Sequence, residues 1–137
     1  MAAFNKFEVF VGDLGVGKVH DLNVDLLECY LSNAAASASA DVVKTDLAEI
    51  TIENGYTGGV DTQNTASEAT GTLSVVGIDI VITATGSVGP FINTVLFNET
   101  PAAPLDPLIG WWNRTSVTLA NTDTFTIDFG ATMFTIA

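Results

Sequence analysis

Basic side chains are scarce in this sequence. Lys6, Lys18, Lys44 and Arg114 stand against 16 acidic residues, which gives a formal net charge of −12. Binding to nucleic-acid phosphates or to an anionic lipid surface depends on clustered Lys and Arg, and four scattered cations form no such cluster. The composition therefore argues against nucleic-acid and membrane partners. It favours high solubility and contact with positively charged protein surfaces.

Cysteine and histidine are also scarce. Cys29 is the single cysteine, so no disulfide can form within the chain, and its apolar neighbours predict a buried core residue. We expect His20, the single histidine, to be a hydrogen-bonded loop or strand-end residue, because its spacing to Cys29 and to the carboxylates indicates no zinc site. No metal or other cofactor is predicted.

Targeting signals are not apparent in the sequence either. No segment approaches the roughly 18 consecutive apolar residues of a membrane span. The first residues lack the charged and apolar regions of a secretory signal. We therefore expect synthesis in a reducing cytoplasm.

One glycine-rich segment approaches the spacing of a phosphate-binding loop. Gly12–Lys18 fits G-x-x-x-x-G-K, but Val19 stands where a hydroxyl should hold Mg²⁺. Asp13 would also lie against the phosphates, and the preceding segment has a helical pattern where the motif needs a strand. We interpret the segment as a glycine-rich helix end.

Short apolar segments separated by turn residues dominate the C-terminal half. This spacing is typical of a compact antiparallel β-domain, because each segment can bury one face and each break supplies a turn. We predict a mainly all-β fold for residues 1–137, a single antiparallel β-sandwich or jelly-roll-like domain with a short N-terminal helix. The predicted strands in this half are Phe91–Phe97, Leu108–Trp112, Ser116–Leu119, Thr124–Phe129 and Met133–Ile136.

The N-terminal half is predicted from weaker patterns. Apolar residues at three- and four-residue steps predict a short amphipathic helix over Asn5–Leu14, within a helical or arm segment of residues 1–17. Alternation predicts a first strand over Leu22–Leu31 and a central strand over Leu73–Ala84, with a bulge or close backbone approach at Gly77. The remaining segments are predicted as a mobile surface loop (32–41), a helical turn or strand approach (45–50), a turn (54–59), an uncommitted polar stretch (61–70) and a stiff proline-rich loop (99–107).

Two adjacent tryptophans are the remaining candidates for a binding role. Neighbouring residues on a strand point to opposite faces, so only one of Trp111 and Trp112 can enter a core. The other needs cover from the proline-rich loop, from a partner protein or from a stacked carbohydrate. We expect one tryptophan and the Phe4–Leu14 segment to lie at interfaces, which gives Phe4, Phe7, Val11, Trp111 and Trp112 as candidate interface residues.

A set of short segments is spread over nearly the whole chain. The segments are Lys18–Leu22, Leu47–Ile50, Asn54–Tyr56, Val88–Phe91, Val95–Thr100, Asp106–Trp112, Ser116–Leu119 and Thr124–Gly130. In this order they resemble small proteins encoded in the structural gene modules of tailed bacteriophages.

The resemblance implies a structural virion protein and no enzymatic activity. The role that it most favours is a capsid decoration, or cement, protein that binds the outside of the head shell and stabilises it, often as a trimer. The implied partners are the major capsid protein or other virion subunits, and the implied location is the capsid surface. The alternatives are a tail, baseplate or fibre-associated virion protein, or a carbohydrate-binding module.

Overall fold

A computed structural model describes residues 2–137 as a mostly β domain, which confirms the all-β prediction; Met1 of the predicted N-terminal segment lies outside the described residues. The described part has ten strands and one short α-helix. In chain order these are β1 (Phe4–Lys6), α1 (Glu8–Gly15), β2 (Leu27–Ser32), β3 (Val60–Asp61), β4 (Thr65–Ala69), β5 (Thr72–Val76), β6 (Ile80–Thr83), β7 (Val88–Asn98), β8 (Leu108–Leu119), β9 (Thr124–Ile127) and β10 (Phe134–Ile136).

The largest sheet contains five antiparallel strands in the order β1-β8-β7-β2-β3. Its centre is the pair β7 and β8, joined by the predicted proline-rich loop. The two predicted strands Leu108–Trp112 and Ser116–Leu119 form one strand, because the polar residues between them stay extended alongside β7. β8 therefore provides the longest edge in the domain, and β1 covers only its residues 110–112.

Two small sheets form the second layer, one ordered β10-β5-β4 and the other β6-β9. The predicted central strand over Leu73–Ala84 is wrong, because this stretch breaks after Val76 and supplies β5 and β6 to different sheets. At Gly77, where a bulge or close backbone approach was predicted, the close neighbours are side chains: a Cβ atom there would lie 2.7 Å from the sulfur of Met133. Alternation continues on both sides of the break, so the pattern alone could not reveal it.

The main core lies between the two layers, and a second cluster covers the opposite face of the large sheet. Strand β2 shows how alternation divides side chains between them, since Leu27, Cys29 and Leu31 enter the main core while Tyr30 enters the second cluster. Burial of each such side chain stabilises the fold by ~1.5–3 kcal/mol. The second cluster consists of the buried residues Phe7, Tyr30, Leu47, Val95, Phe97 and Leu108.

The predicted N-terminal helix begins too early. Residues 4–6 form β1, and α1 begins only at Glu8. Phe4 and Phe7 pack against different faces of the large sheet, which an extended segment permits and a helix would not. The predicted helix end is confirmed, since the N–H groups of Val16 and Gly17 both donate to the carbonyl of Gly12.

The predicted start of the first strand is also too early, because residues 22–25 form a turn and β2 begins at Leu27. The Asp21 carboxylate accepts the N–H groups of Asn23 and Val24, and the Asp25 carboxylate accepts that of Asp21. Such local side-chain acceptors compete with strand pairing and favour turns.

The predicted loops are confirmed as connections, with additional local structure. After Ser32, which ends β2, residues 33–41 carry no strand or helix, and the Ala34 carbonyl accepts a 2.7 Å hydrogen bond from the Asn93 amide. Residues 44–46 form a 3₁₀ turn, and the turn at Asn54 and Gly55 uses positive φ at both positions. The polar stretch 61–70, for which no structure was predicted, contains the last residue of β3 and all of β4.

Candidate interaction surface

The two tryptophans lie on opposite faces of β8, as predicted. Trp112 is 5% exposed and enters the main core. Trp111 is partly buried on the second cluster, with its ring centroid 4.5 Å from that of Phe7. The cover for Trp111 therefore includes an aromatic ring from the N-terminal segment of the same chain.

The other candidate interface residues differ widely in exposure. Phe7 is fully buried in the second cluster, so neither Phe7 nor Trp112 offers a free surface to a partner. Phe4 is partly buried, whereas the side chain of Val11 is 54% exposed. Of the five candidates, Val11 is the most exposed, and Phe4 and Trp111 are partly exposed.

Phe4 and Val11 line one groove beside α1, which we call the α1–β10 groove. Its volume is about 280 Å³. The floor is aromatic: the Phe134 ring stacks on Phe4 and meets the edge of Phe10 at 5.8 Å. The full lining is Phe4, Lys6, Phe10, Val11, Leu14, Phe134, Thr135, Ile136 and Ala137.

The α1–β10 groove lies beside two outer strands. β1 ends the order of the large sheet, and β10 ends the order of the three-stranded sheet. Each outer strand leaves one row of backbone N–H and C=O groups without a ladder partner among the described strands. An extended peptide placed here could pair with a strand edge and bury apolar side chains in the groove.

Three further exposed apolar side chains lie close together along the chain, at Val76, Ile78 and Val81, and we call them the 76–81 patch. These side chains are 37%, 55% and 61% exposed, respectively. This patch was not predicted from the sequence, although the alternation in Ile80-Val81-Ile82 indicates an outward-facing Val81. Strand alternation turns Val81 away from the face on which Ile80 and Ile82 are buried.

Negative charge concentrates where β2 meets β3. Glu28 lies directly across the ladder from Asp61. Partial burial raises the pKa of the Glu28 carboxyl, and the charges of Glu99, Asp61 and Asp106 raise it further, while Lys44 opposes them. Like charges at this end of the large sheet give the domain an acidic end.

Lys44 is the cation of the one salt bridge within residues 2–137, with its Nζ 3.1 Å from the Glu49 carboxylate. It also lies over the rings of Tyr30 and Phe97, at 5.2 and 4.8 Å from their centroids. This arrangement fastens the segment after the 3₁₀ turn onto the second cluster. We assign Lys44 a structural role.

Cys29 and the glycine-rich segment take the structural roles predicted for them. Cys29 is 1% exposed, and burial raises the pKa of its thiol far above the ordinary range, which makes it unreactive. Gly12 lies inside α1, so the segment that follows cannot form a phosphate loop after a strand. The backbone N–H groups of Val16, Gly17 and Val19 instead donate to the carbonyls of Gly12 and Asp13.

His20 is hydrogen-bonded as predicted, but only through one ring nitrogen. Nδ1 lies 3.0 Å from the Asn98 amide nitrogen, whereas Nε2 is buried without a partner. Among residues 2–137, no three or more His, Cys, Asp or Glu side chains are grouped so that they could hold a metal ion. No helix in the described range has the length and apolar character to cross a membrane.

No family model, curated protein or solved structure matched this chain.

Proposed function

We propose that this protein is a non-enzymatic structural component of a tailed-bacteriophage virion, and that it decorates the outer surface of the head. Its partner in this proposal is the major capsid protein. The observation that carries the proposal is the α1–β10 groove, where an aromatic floor lies next to two outer strands. The resemblance to phage structural proteins supplies the identity of the partner.

The α1–β10 groove suits a protein partner because it offers two kinds of contact in one place. Apolar surface removed from water contributes ~25 cal/mol per Å², and Val11 provides an exposed anchor on the helix side. The outer strands β1 and β10 provide backbone groups that an incoming strand can pair with. An extended arm of a capsid subunit fits both contacts.

The charge distribution favours a partner with a positive surface. The net charge of −12 and the acidic end near Glu28 and Asp61 repel nucleic acid and attract cationic patches. Steering of this kind weakens as salt screens the charges. We therefore expect association with capsids to slow in high salt.

We propose a trimer as the assembled form. A closed ring covers exposed apolar surface such as the 76–81 patch and presents three copies of the α1–β10 groove to the capsid lattice. Several modest contacts then combine through a high effective concentration. Strong attachment requires no single high-affinity site.

Immunogold labelling of intact phage particles tests the location. Gold over the heads supports decoration, and gold at the tail or baseplate replaces this proposal with the tail-associated alternative. The absence of label from detergent-opened as well as intact particles would contradict a virion role, because opening the particles exposes a hidden epitope.

Binding of purified protein to heads that lack it tests the surface. We expect Val11→Asp to weaken binding by about tenfold, since a charge in an apolar contact costs at least ~1.4 kcal/mol. Val24→Asp makes the same change at a valine that is 76% exposed and outside the α1–β10 groove, and should bind normally. If both variants bind equally well and their circular dichroism is unchanged, the α1–β10 groove does not contact the head.

Carbohydrate binding is the second candidate, because Trp111 keeps part of its ring accessible. Trp111→Ala should then abolish retention on a glycan array while leaving the oligomer intact. Trp112 is buried in the main core and can serve only as a control for lost stability.

A further inference from the structure

His20 lies in the connection between α1 and β2, against two packed elements. The Phe10 ring of α1 meets the imidazole edge to face, with 5.2 Å between centroids. On the other side, Nδ1 meets the amide of Asn98 at the end of β7. The single histidine therefore joins the helix connection to the central strand of the large sheet.

The hydrogen bonds of Asn98 determine which ring nitrogen of His20 carries the proton. Asn98 is fully buried, and its Oδ1 accepts the backbone N–H of Thr100 at 3.0 Å, which fixes the orientation of the amide. The two protons of its NH₂ group then go to the Asp25 carboxylate at 2.7 Å and to His20 Nδ1 at 3.0 Å. Nδ1 must accept, so the ring is neutral with its proton on Nε2.

The second nitrogen of His20 and a nearby carboxylate oxygen are both unsatisfied. Nε2 of His20 and Oδ2 of Asp13 are buried and have no hydrogen-bond partner. Asp13 acts on the charge of His20 more strongly than Asp25 does. The Asp13 carboxylate lies beyond ion-pair distance of the ring, so it becomes a partner for a cationic ring only after one of the two side chains moves.

The titratable side chains near His20 are acidic. Asp13 approaches from α1, Asp25 from the turn before β2, and Asp21 and Glu68 line the same hollow as His20. The nearest cation along the chain is Lys18, whose side chain is exposed. No positive group among these opposes protonation of the ring.

We propose that His20 and Asn98 form a pH-sensitive latch that holds the connection between α1 and β2 onto the large sheet. Protonation places a hydrogen on Nδ1, and two donors then face each other where the latch had a hydrogen bond. The cationic ring gains the unsatisfied Asp13 carboxylate as its partner. The Asn98 amide then loses one of its two acceptors, and its hold on the turn at Asp25 weakens.

The direction of the pH effect follows from the neutral native ring. Burial lowers the pKa of His20 below its ordinary 6.5, and the charges of Asp13 and Asp25 offset part of that shift. The unfolded chain therefore binds the proton more readily than the native chain. The stability that the latch contributes is complete above pH 6.5 and is lost as the pH falls through the lower native pKa.

Nuclear magnetic resonance on the whole chain tests the latch. Between pH 8 and pH 5 we expect the Asn98 side-chain NH₂ signals to shift in step with the His20 ring signals. Protection factors of the amides across residues 18–26, which correct for the slower intrinsic exchange in acid, should fall by up to roughly tenfold for each pH unit of acidification between pH 6.5 and the native pKa.

Two variants distinguish the latch from general acid destabilisation. His20→Asn keeps an acceptor near the Nδ1 position but cannot titrate. The pH-dependent change in amide exchange across residues 18–26 should therefore disappear while the fold remains. Asp13→Asn removes the alternative partner and should lower the pKa of His20 further. The same pH dependence of amide exchange in wild type and His20→Asn would overturn the proposal. An unchanged pKa of His20 in Asp13→Asn would overturn it as well.

Discussion

The ring of Phe4 stacks on the ring of Phe134, with 4.7 Å between their centroids and 9° between their planes. Phe4 begins the first strand, at the edge of the large sheet, and Phe134 begins the last strand, in the three-stranded sheet. Trp112 meets Phe4 from β8 at 5.2 Å. The first and last strands thus join the two layers of the domain through aromatic contacts.

Truncation of Phe4 should separate these layers locally. We expect Phe4→Ala to lower the free energy of unfolding by about 2 kcal/mol, less than for a fully buried Phe because Phe4 is partly exposed. Urea denaturation measures the change. Val24→Ala, at a highly exposed valine, should stay within ~0.5 kcal/mol of wild type. Equal midpoints for Phe4→Ala and wild type would show that the stacked pair contributes nothing to stability.

Gly110 should be intolerant of any side chain, because Phe4 occupies the space beside it. A Cβ atom at this position would overlap the Phe4 ring and lie 2.6 Å from the carbonyl oxygen of Asn5. We expect Gly110→Ala to cost ~1–3 kcal/mol, the range for overpacked sites, and to release β1 from β8. Calorimetry measures the loss, and hydrogen exchange at residues 4–6 locates it.

Gly12 offers the matched control for that substitution. It lies within α1, and a Cβ atom there would have nothing within 4 Å. Gly12→Ala should therefore stabilise the protein by ~0.5–1 kcal/mol through helix propensity. Similar changes in stability for Gly110→Ala and Gly12→Ala would contradict the close approach of Phe4 to Gly110.

Tyr56 replaces a missing strand partner beside β2. Its hydroxyl accepts the backbone N–H of Leu31 at 2.9 Å and donates to Glu49 at 2.7 Å. We expect Tyr56→Phe to cost ~1–3 kcal/mol, because it leaves a buried N–H without an acceptor. Tyr30→Phe removes a hydroxyl that only donates, chiefly to the Leu47 carbonyl, and should cost less. Thermal unfolding that ranks the two variants in the opposite order would contradict this assignment.

Replacement of Glu28 should stabilise the protein near neutral pH. Its native pKa is raised, chiefly by burial and then by neighbouring carboxylates, so the native state binds the proton more readily than the unfolded state. Ionised Glu28 therefore destabilises the native state, and this loss of stability grows as the pH rises from 4.5, the ordinary pKa of the carboxyl, to the raised native pKa. We expect Glu28→Gln to gain less than ~1 kcal/mol at pH 7.

The gain from Glu28→Gln should disappear below pH 4.5, where the carboxyl is already neutral in both states. Denaturation at pH 4 and pH 7 measures the difference. Glu53→Gln, in an exposed segment, provides the control for loss of one negative charge. A constant difference between wild type and Glu28→Gln across this range would contradict the crowding of charges at the β2–β3 end.

Local patterns were sufficient for much of the fold. The strands around Val95 and Phe125, the positive φ at Asn54 and the opposed faces of Trp111 and Trp112 follow from residue type and strand alternation. The candidate interface was predicted less well. Phe7 has the same apolar character as Val11, and no property of the sequence distinguishes the buried residue from the exposed one.

The sequence by itself determined the class of the domain, its acidity and the burial of Cys29, because composition and two-residue periodicity are local properties. Only the tertiary structure decided that Leu73–Ala84 divides between two sheets, that Asn5 belongs to a strand and that Phe4 meets Phe134. Each of these outcomes depends on which distant side chain fills a given space, such as Met133 beside Gly77. Close packing between layers fixes such choices, and residue order along the chain does not encode them locally.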